Sequence, residues 1–398
     1  VRTDPRAYRR AADWSTLHRV TTDSLAPTGR AAFAVPEDVA YFNTANLSPQ
    51  LHTVRAAGVA ALDRRGQPWT IGAADWFTDV ERLRALAGAL VGADAEGIAL
   101  VPSTSYGFAV TARVLDVRPG DRVLVLAEEY PSGIYTWRAA GADLLTVGRN
   151  PGGTWTDAVL AALDERVDVV SVPPVHWTDG ARVDLEAVAA RTREVGARLV
   201  IDGSQAIGAM PFDVGALHPD AVVTVGYKWL LGPFGLGYLY LAPEHRDGAP
   251  IEQNWILREG SEDFARLVDY RDTYQPGTRR FDVGERSQFE LVPMAIAALE
   301  QITAWGVERI AASLATTTGA VRRRTADLGL DAGRPEDVGP HVLGLRLPES
   351  ARGGVLGALA AAGVYASVRG DALRVAPHLH VTDDDIDRLV DALATCSS

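Results

Sequence analysis

Two residue types are almost missing from this 398-residue chain. It has one cysteine, Cys396, and among its 39 basic residues only Lys228 is a lysine. A single cysteine allows no intramolecular disulfide, which fits a reducing compartment. No stretch approaches the ~18 uncharged apolar residues of a membrane-spanning helix. Val1 to Arg10 are polar and charged, without the apolar core of a secretory signal. The expectation is a soluble, cytoplasmic protein with no membrane partner. The formal net charge of −12 repels phosphate backbones, so no nucleic-acid partner is expected. The densest basic cluster, Arg322-Arg323-Arg324, reads as a solvated helix face. No strand pattern is followed by G-x-G-x-x-G, so a nicotinamide site is not supported. The eight histidines are dispersed, and His378 with His380 lack further ligands, so no metal site is expected.

What is present is ordinary globular composition, 47% hydrophobic and 23% charged, which excludes disordered, collagenous and disulfide-scaffold chains. The length suggests two or three domains. Phe77, Val80, Leu83, Leu86 and Leu90 recur at helical spacing. Short apolar runs of the kind buried in parallel sheets follow: Ile98–Val101, Arg122–Leu126, Leu144–Val147, Val167–Val172, Arg198–Ile201, Ala221–Val225 and Gly237–Leu241. Helical stretches such as Trp155–Leu163 and Leu185–Val195 lie between several of them. Seven strands with crossover helices describe an α/β fold with a mainly parallel sheet. Residues 251–290 read as irregular connection. The remainder, helices over a small antiparallel sheet, reads as α+β. The expected organisation is an N-terminal segment (1–50) packing on the small domain, a large domain (51–280) and a small C-terminal domain (281–398).

In such sheets ligands bind where the carboxyl ends of the strands converge. Pro102-Ser103-Thr104-Ser105-Tyr106-Gly107 follows the first strand and leads into a helix. Amides and hydroxyls at a helix start suit a phosphate, although a plain Ser/Thr N-cap explains the same residues. After the second strand comes Tyr130, whose ring could stack on a flat ligand or serve as core. Asp202 ends the fifth strand, and Tyr227-Lys228-Trp229 follows the sixth. In a chain where arginine has displaced lysine everywhere else, the surviving lysine points to amine chemistry, because guanidinium cannot form an imine. Imine-forming amine, carboxylate and phosphate cup together specify pyridoxal phosphate.

With these residues in place, the chain resembles the class V aminotransferase family of fold-type I pyridoxal-phosphate enzymes. That family includes cysteine desulfurases, isopenicillin N epimerase-like enzymes, kynureninases and C–S lyases. The resemblance runs from Tyr41-Phe42-Asn43-Thr44-Ala45-Asn46 to Leu373-Arg374-Val375-Ala376-Pro377. Its strongest parts are Asp202-Gly203-Ser204-Gln205-Ala206-Ile207-Gly208 and Gly226-Tyr227-Lys228-Trp229-Leu230-Leu231-Gly232-Pro233. The resemblance implies that Lys228 carries the cofactor and moves the proton at Cα. It further implies Asp202 on the pyridinium, Gln205 on the ring hydroxyl and Tyr130 stacked on the ring. Ser103, Thr104, Ser105 and Tyr227 would hold the phosphate, with Thr278 reaching a neighbouring subunit's phosphate in a homodimer. Arg374 would clamp the substrate carboxylate, with Asn46, His176 and Trp177 shaping the substrate pocket. Core packing is a competing role for Trp177.

Two departures bear on the reaction. Desulfurases carry a mobile persulfide-forming cysteine, and Cys396 stands far from the corresponding loop. Desulfurases also place asparagine where this chain has Val175-His176-Trp177. The leading expectation is therefore a lyase acting by β-elimination at a C–S bond of an amino acid or its conjugate. Cα epimerisation and transamination are the alternatives within the family, and a regulatory or structural use of the fold is the non-enzyme alternative.

Overall fold

A computed structural model describes residues 29–396. The first 28 residues of the expected N-terminal segment lie outside the described residues. The chain begins with β1 (Ala40–Tyr41), α1 (His52–Arg65) and α2 (Thr78–Leu90). The alternating stretch then runs β2 (Ile98–Val101), α3 (Thr104–Val114), β3 (Arg122–Leu126), α4 (Pro131–Ala139), β4 (Asp143–Val147) and α5 (Trp155–Ala162). It continues with β5 (Val169–Val172), α6 (Leu185–Val195), β6 (Arg198–Asp202), α7 (Val214–Leu217), β7 (Ala221–Val225) and β8 (Gly237–Leu241). These strands form one seven-stranded sheet in the order β2-β8-β7-β6-β5-β3-β4. Only β8 runs antiparallel to its neighbours, β2 and β7. Every residue of β2, β5 and β7 is buried, as strands covered by helices on both faces must be.

The rest of the chain supplies α8 (Leu291–Trp305), α9 (Val307–Ala326), β9 (Leu343–Arg346), α10 (Glu349–Arg352) and α11 (Val355–Ala361). β10 (Val364–Tyr365), β11 (Ser367–Arg369), β12 (Ala372–Val375) and α12 (Asp383–Cys396) complete it. β11-β12-β9 is an antiparallel sheet with its own apolar core, which includes Leu345, Leu359, Leu373 and Leu389. β1 pairs in parallel with β10 and Arg30 binds Asp385 of α12, which tie these points to the smaller sheet's side, while Phe33 between them packs in the core of the large sheet. No described helix is long and apolar enough to cross a membrane.

The basic cluster on α9 differs from a solvated face. Arg322 is half-buried and donates to the Ala332 and Gly333 carbonyls, while Arg324 pairs with Asp383 and Asp387 of α12. The helix face is charged because it ties three segments together, a use that local sequence does not reveal.

Candidate active site

The strand order sets the site. β6 and β7 are hydrogen-bonded neighbours, with Asp202 in register with Val223. The residues that leave their carboxyl ends, Asp202 and Lys228, therefore face one crevice. Thr104, Glu129, Tyr130, Trp177, Asp202, Gln205, Tyr227 and Lys228 line an open pocket of about 360 Å³ there.

Two segments must come unusually close to build it. Gly208 has φ +97°, and a Cβ there would lie 2.5 Å from the Trp229 carbonyl oxygen. Only glycine lets the turn after Asp202 pack against the segment that carries Lys228. Gln205 is then clamped. Its Nε2 donates to the Ala45 carbonyl at 3.0 Å, and its Oε1 accepts from Trp229 Nε1 at 2.9 Å. His341 meanwhile bonds the Gln205 backbone carbonyl. One N–H of the Gln205 amide is left over for a ligand.

The Lys228 ammonium lies 5.6 Å from the Tyr130 ring centre and 5.9 Å from that of Tyr227. Burial lowers its pKa to about 8; Asp202 opposes the shift, and the charges of Arg374 and Arg369 add to it. Asp202 accepts the Ser204 amide at 2.9 Å, and burial pushes its carboxyl above the ordinary range. A buried carboxylate in this state gains most from a cationic partner at its second oxygen. At the other end, Ser103 caps α3 by accepting the Tyr106 amide, and its hydroxyl bonds that of Ser105. Thr104 opens the helix and faces the pocket.

Among the expected substrate residues, Trp177 and Arg374 meet. Arg374 donates through Nη1 to the Trp177 carbonyl at 2.7 Å, and the Trp177 ring stands edge-on to Tyr130 at 5.9 Å. Three other residues are placed differently. His176 is fully buried, bonded to the Thr178 hydroxyl and the Ala127 carbonyl and stacked on Trp155, so neither ring nitrogen is left for a substrate. Thr278 is fully buried within its own chain, where its hydroxyl donates to the Glu96 carbonyl. Asn46 is exposed on the turn after Ala45 and is not a wall of the pocket.

Sequence reasoning missed Glu129 and Arg369. Glu129 Oε1 accepts the Tyr130 amide while its Oε2 is buried without a partner. Burial raises its pKa to about 8; the Tyr130 amide opposes the shift, and the Asp202 charge adds to it. Its position beside Tyr130 was the available signal. Asp220, Glu244 and His245 also gather, at the opposite end of β7, where His245 bonds Asp220 at 2.7 Å.

The donor set fits pyridoxal phosphate. An amine held partly neutral, a carboxyl lacking a cation, a free amide N–H and a helix start with hydroxyls are what its aldehyde, ring nitrogen, ring hydroxyl and phosphate need.

Comparison with known proteins agrees with this fit. The family model for aminotransferase class-V matches residues 72–329. The chain is 26% identical over 308 residues to the uncharacterized aminotransferase YcbU of Bacillus subtilis (strain 168), covering 77% of this chain and 80% of YcbU. It is 28% identical over 248 residues to a cysteine desulfurase of Shigella sonnei (strain Ss046), a match that spans 58% of each chain. Among solved structures, the cysteine desulfurase of Thermococcus onnurineus NA1 superposes with a TM-score of 0.78 at 17% identity, over 92% of this chain and 96% of the other. The cystine C–S lyase C-DES does so with 0.79 at 18% identity, over 90% and 98%. At these identities the two structures show the shared fold. With a family match over residues 72–329, this chain belongs to the aminotransferase class-V family of pyridoxal-phosphate enzymes.

Proposed function

We propose that the protein is a lyase that removes a sulfur-linked β-substituent from an amino acid. The observation that carries the reading is the combination of an intact proton-transfer site with no cysteine to receive sulfur. Cys396, the single cysteine of the chain, is the last residue of α12. Among the described residues no thiol lines the pocket, so a persulfide relay has no carrier there.

When bound, pyridoxal phosphate supplies an electron sink for the pair left at the substrate α-carbon. Asp202 would hold the proton on the ring nitrogen that makes the sink effective. The α3 start, with Thr104, orients the phosphate. The spare Gln205 N–H would hold the ring hydroxyl, and Tyr130 would cover the ring. Arg374 holds the substrate carboxylate in a fork that lysine could not provide. Lys228 would take the proton from the substrate Cα. Its pKa of about 8 leaves a useful neutral fraction near pH 7. The same lysine would return a proton to the departing sulfur.

The test is incubation of the cofactor-loaded protein with cysteine S-conjugates, without any keto-acid acceptor. Elimination releases pyruvate, ammonia and a thiol. Solvent deuterium at Cα of recovered intact substrate would instead indicate epimerisation, and accumulation of aminated cofactor would indicate transamination, the activity that the name of YcbU carries.

A further inference from the structure

Arg374 does not stand alone on its strand. In the β11–β12 hairpin, Ser367 is opposite Arg374 and Arg369 is opposite Ala372. Opposed residues share a face and neighbours alternate, so Ser367, Arg369, Ala372 and Arg374 occupy one face, with Val368 and Leu373 on the other. The second face packs with Leu343, Leu345 and Leu359 in the small-sheet core. The first is thereby turned towards the cofactor pocket, where the Arg369 guanidinium lies 5.7 Å from the Trp177 ring centre. On β9, Gly344 is the partner of Arg374, and a Cβ there would sit 2.8 Å from Asp179 Cα. The missing side chain lets the 177–180 turn rest on this face and brings Trp177 to both arginines.

These two cations have no counter-charge. Their donated bonds go to the carbonyls of Trp177 and Val368, and among the described residues no ion pair includes either. Asp371, between them in sequence, pairs instead with Arg346 and Arg352. Arg374 is 1% exposed, and its Nε and the Ser367 hydroxyl are buried without partners. The other two fully buried arginines, Arg84 and Arg286, both bind the Asp282 carboxylate. Among the described residues Arg374 is thus the one fully buried arginine without a carboxylate partner, and an uncompensated buried guanidinium is costly unless a ligand supplies the counter-charge. Both charges also act on Lys228 and help to lower its pKa.

We propose that the substrate carries a second acidic group: Arg374 takes the α-carboxylate, and Arg369 with the Ser367 hydroxyl takes a carboxylate at the end of the side chain. This rests on the reading of the pocket as a pyridoxal-phosphate site for amino acids. Joined to the C–S lyase reading, it names the substrate class as a cysteine S-conjugate whose sulfur substituent ends in a carboxylate.

The experiment uses the cofactor-loaded protein and matched acid–amide pairs. Affinities for L-aspartate against L-asparagine and L-glutamate against L-glutamine are measured by calorimetry. The third pair, S-carboxymethyl-L-cysteine against S-carboxamidomethyl-L-cysteine, is compared by kcat/KM. A charge-assisted bond to guanidinium should favour the acid of at least one pair by about 10- to 100-fold. Arg369→Met should remove that preference, weakening the acids far more than the amides; Arg369→Lys should retain part of it; Arg374→Met should weaken acids and amides alike. The visible cofactor band should persist in Arg369→Met, showing that its site is intact. Cofactor uptake with equal treatment of acid and amide in all three pairs overturns this proposal alone. So does an Arg369→Met variant that weakens both members of a pair equally. Failure of the wild-type protein to take up cofactor overturns the site reading and this proposal with it.

Discussion

The pocket makes a quantitative demand on Lys228 before any substrate arrives. An ordinary lysine titrates at 10.5, whereas burial brings Lys228 to about 8. At pH 7 the neutral fraction then rises from about 0.0003 to about 0.1, roughly 300-fold, and only the neutral amine can attack the cofactor aldehyde. Stopped-flow absorbance of cofactor uptake by the cofactor-free protein, from pH 6 to 11, reads this directly. The rate should climb about tenfold per pH unit and level off near pH 8. Arg369→Met or Arg374→Met removes a charge that lowers the pKa and should move the inflection upward. Asp202→Asn removes the opposing charge and should move it downward. Between pH 8 and 10.5 the unfolded chain binds more protons than the folded one, so stability of the cofactor-free protein should rise with pH across that window. Below pH 8 the buried amine costs about 3 kcal/mol, and Lys228→Met should recover up to that amount at pH 7. An uptake rate that keeps climbing to pH 10.5, with an inflection indifferent to all three variants, would refute the reasoning.

Other outcomes follow from single contacts. Asp282→Asn leaves the buried Arg286 without a counter-charge and Arg84 with Glu81 alone, and should cost about 3–5 kcal/mol in denaturant unfolding. Gly208→Ala forces a positive φ and a clash with the Trp229 carbonyl; it should cost more than about 2 kcal/mol and loosen cofactor retention on dialysis. Trp229→Phe deletes the bond to Gln205 Oε1 and should cost about 1 kcal/mol, with the cofactor band shifted rather than lost.

The large sheet was readable because strands buried on both faces are uninterrupted apolar runs. β2, β3, β7 and β8 begin and end where those runs do. Once strand ends are known, ligand loops follow, which is why Asp202, Tyr130 and Lys228 could be placed. α1 was not readable, since it buries only Val54, Gly58 and Ala61 and shows no apolar stripe. β1 and β10 are two residues each, and their pairing joins positions more than 300 residues apart, beyond any local pattern. His176 was misjudged because a histidine after a strand looks the same whether it meets a substrate or, as here, a carbonyl 49 residues away. Thr278 kept the residue type of a phosphate ligand while the fold turned its hydroxyl onto Glu96. Arg369 was within reach of sequence. Assigning the hairpin register of Ser367–Arg369 and Ala372–Val375 would have put it on the face of Arg374.

The central claim is that the sole lysine carries the cofactor. Borohydride reduction of the pyridoxal-phosphate-loaded protein, followed by peptide mass mapping, tests it most directly. The account predicts a pyridoxyl adduct on Lys228, and no adduct or visible band in Lys228→Ala. A wild-type protein that stays colourless with Lys228 unmodified, or a Lys228→Ala variant that keeps the band, would contradict it.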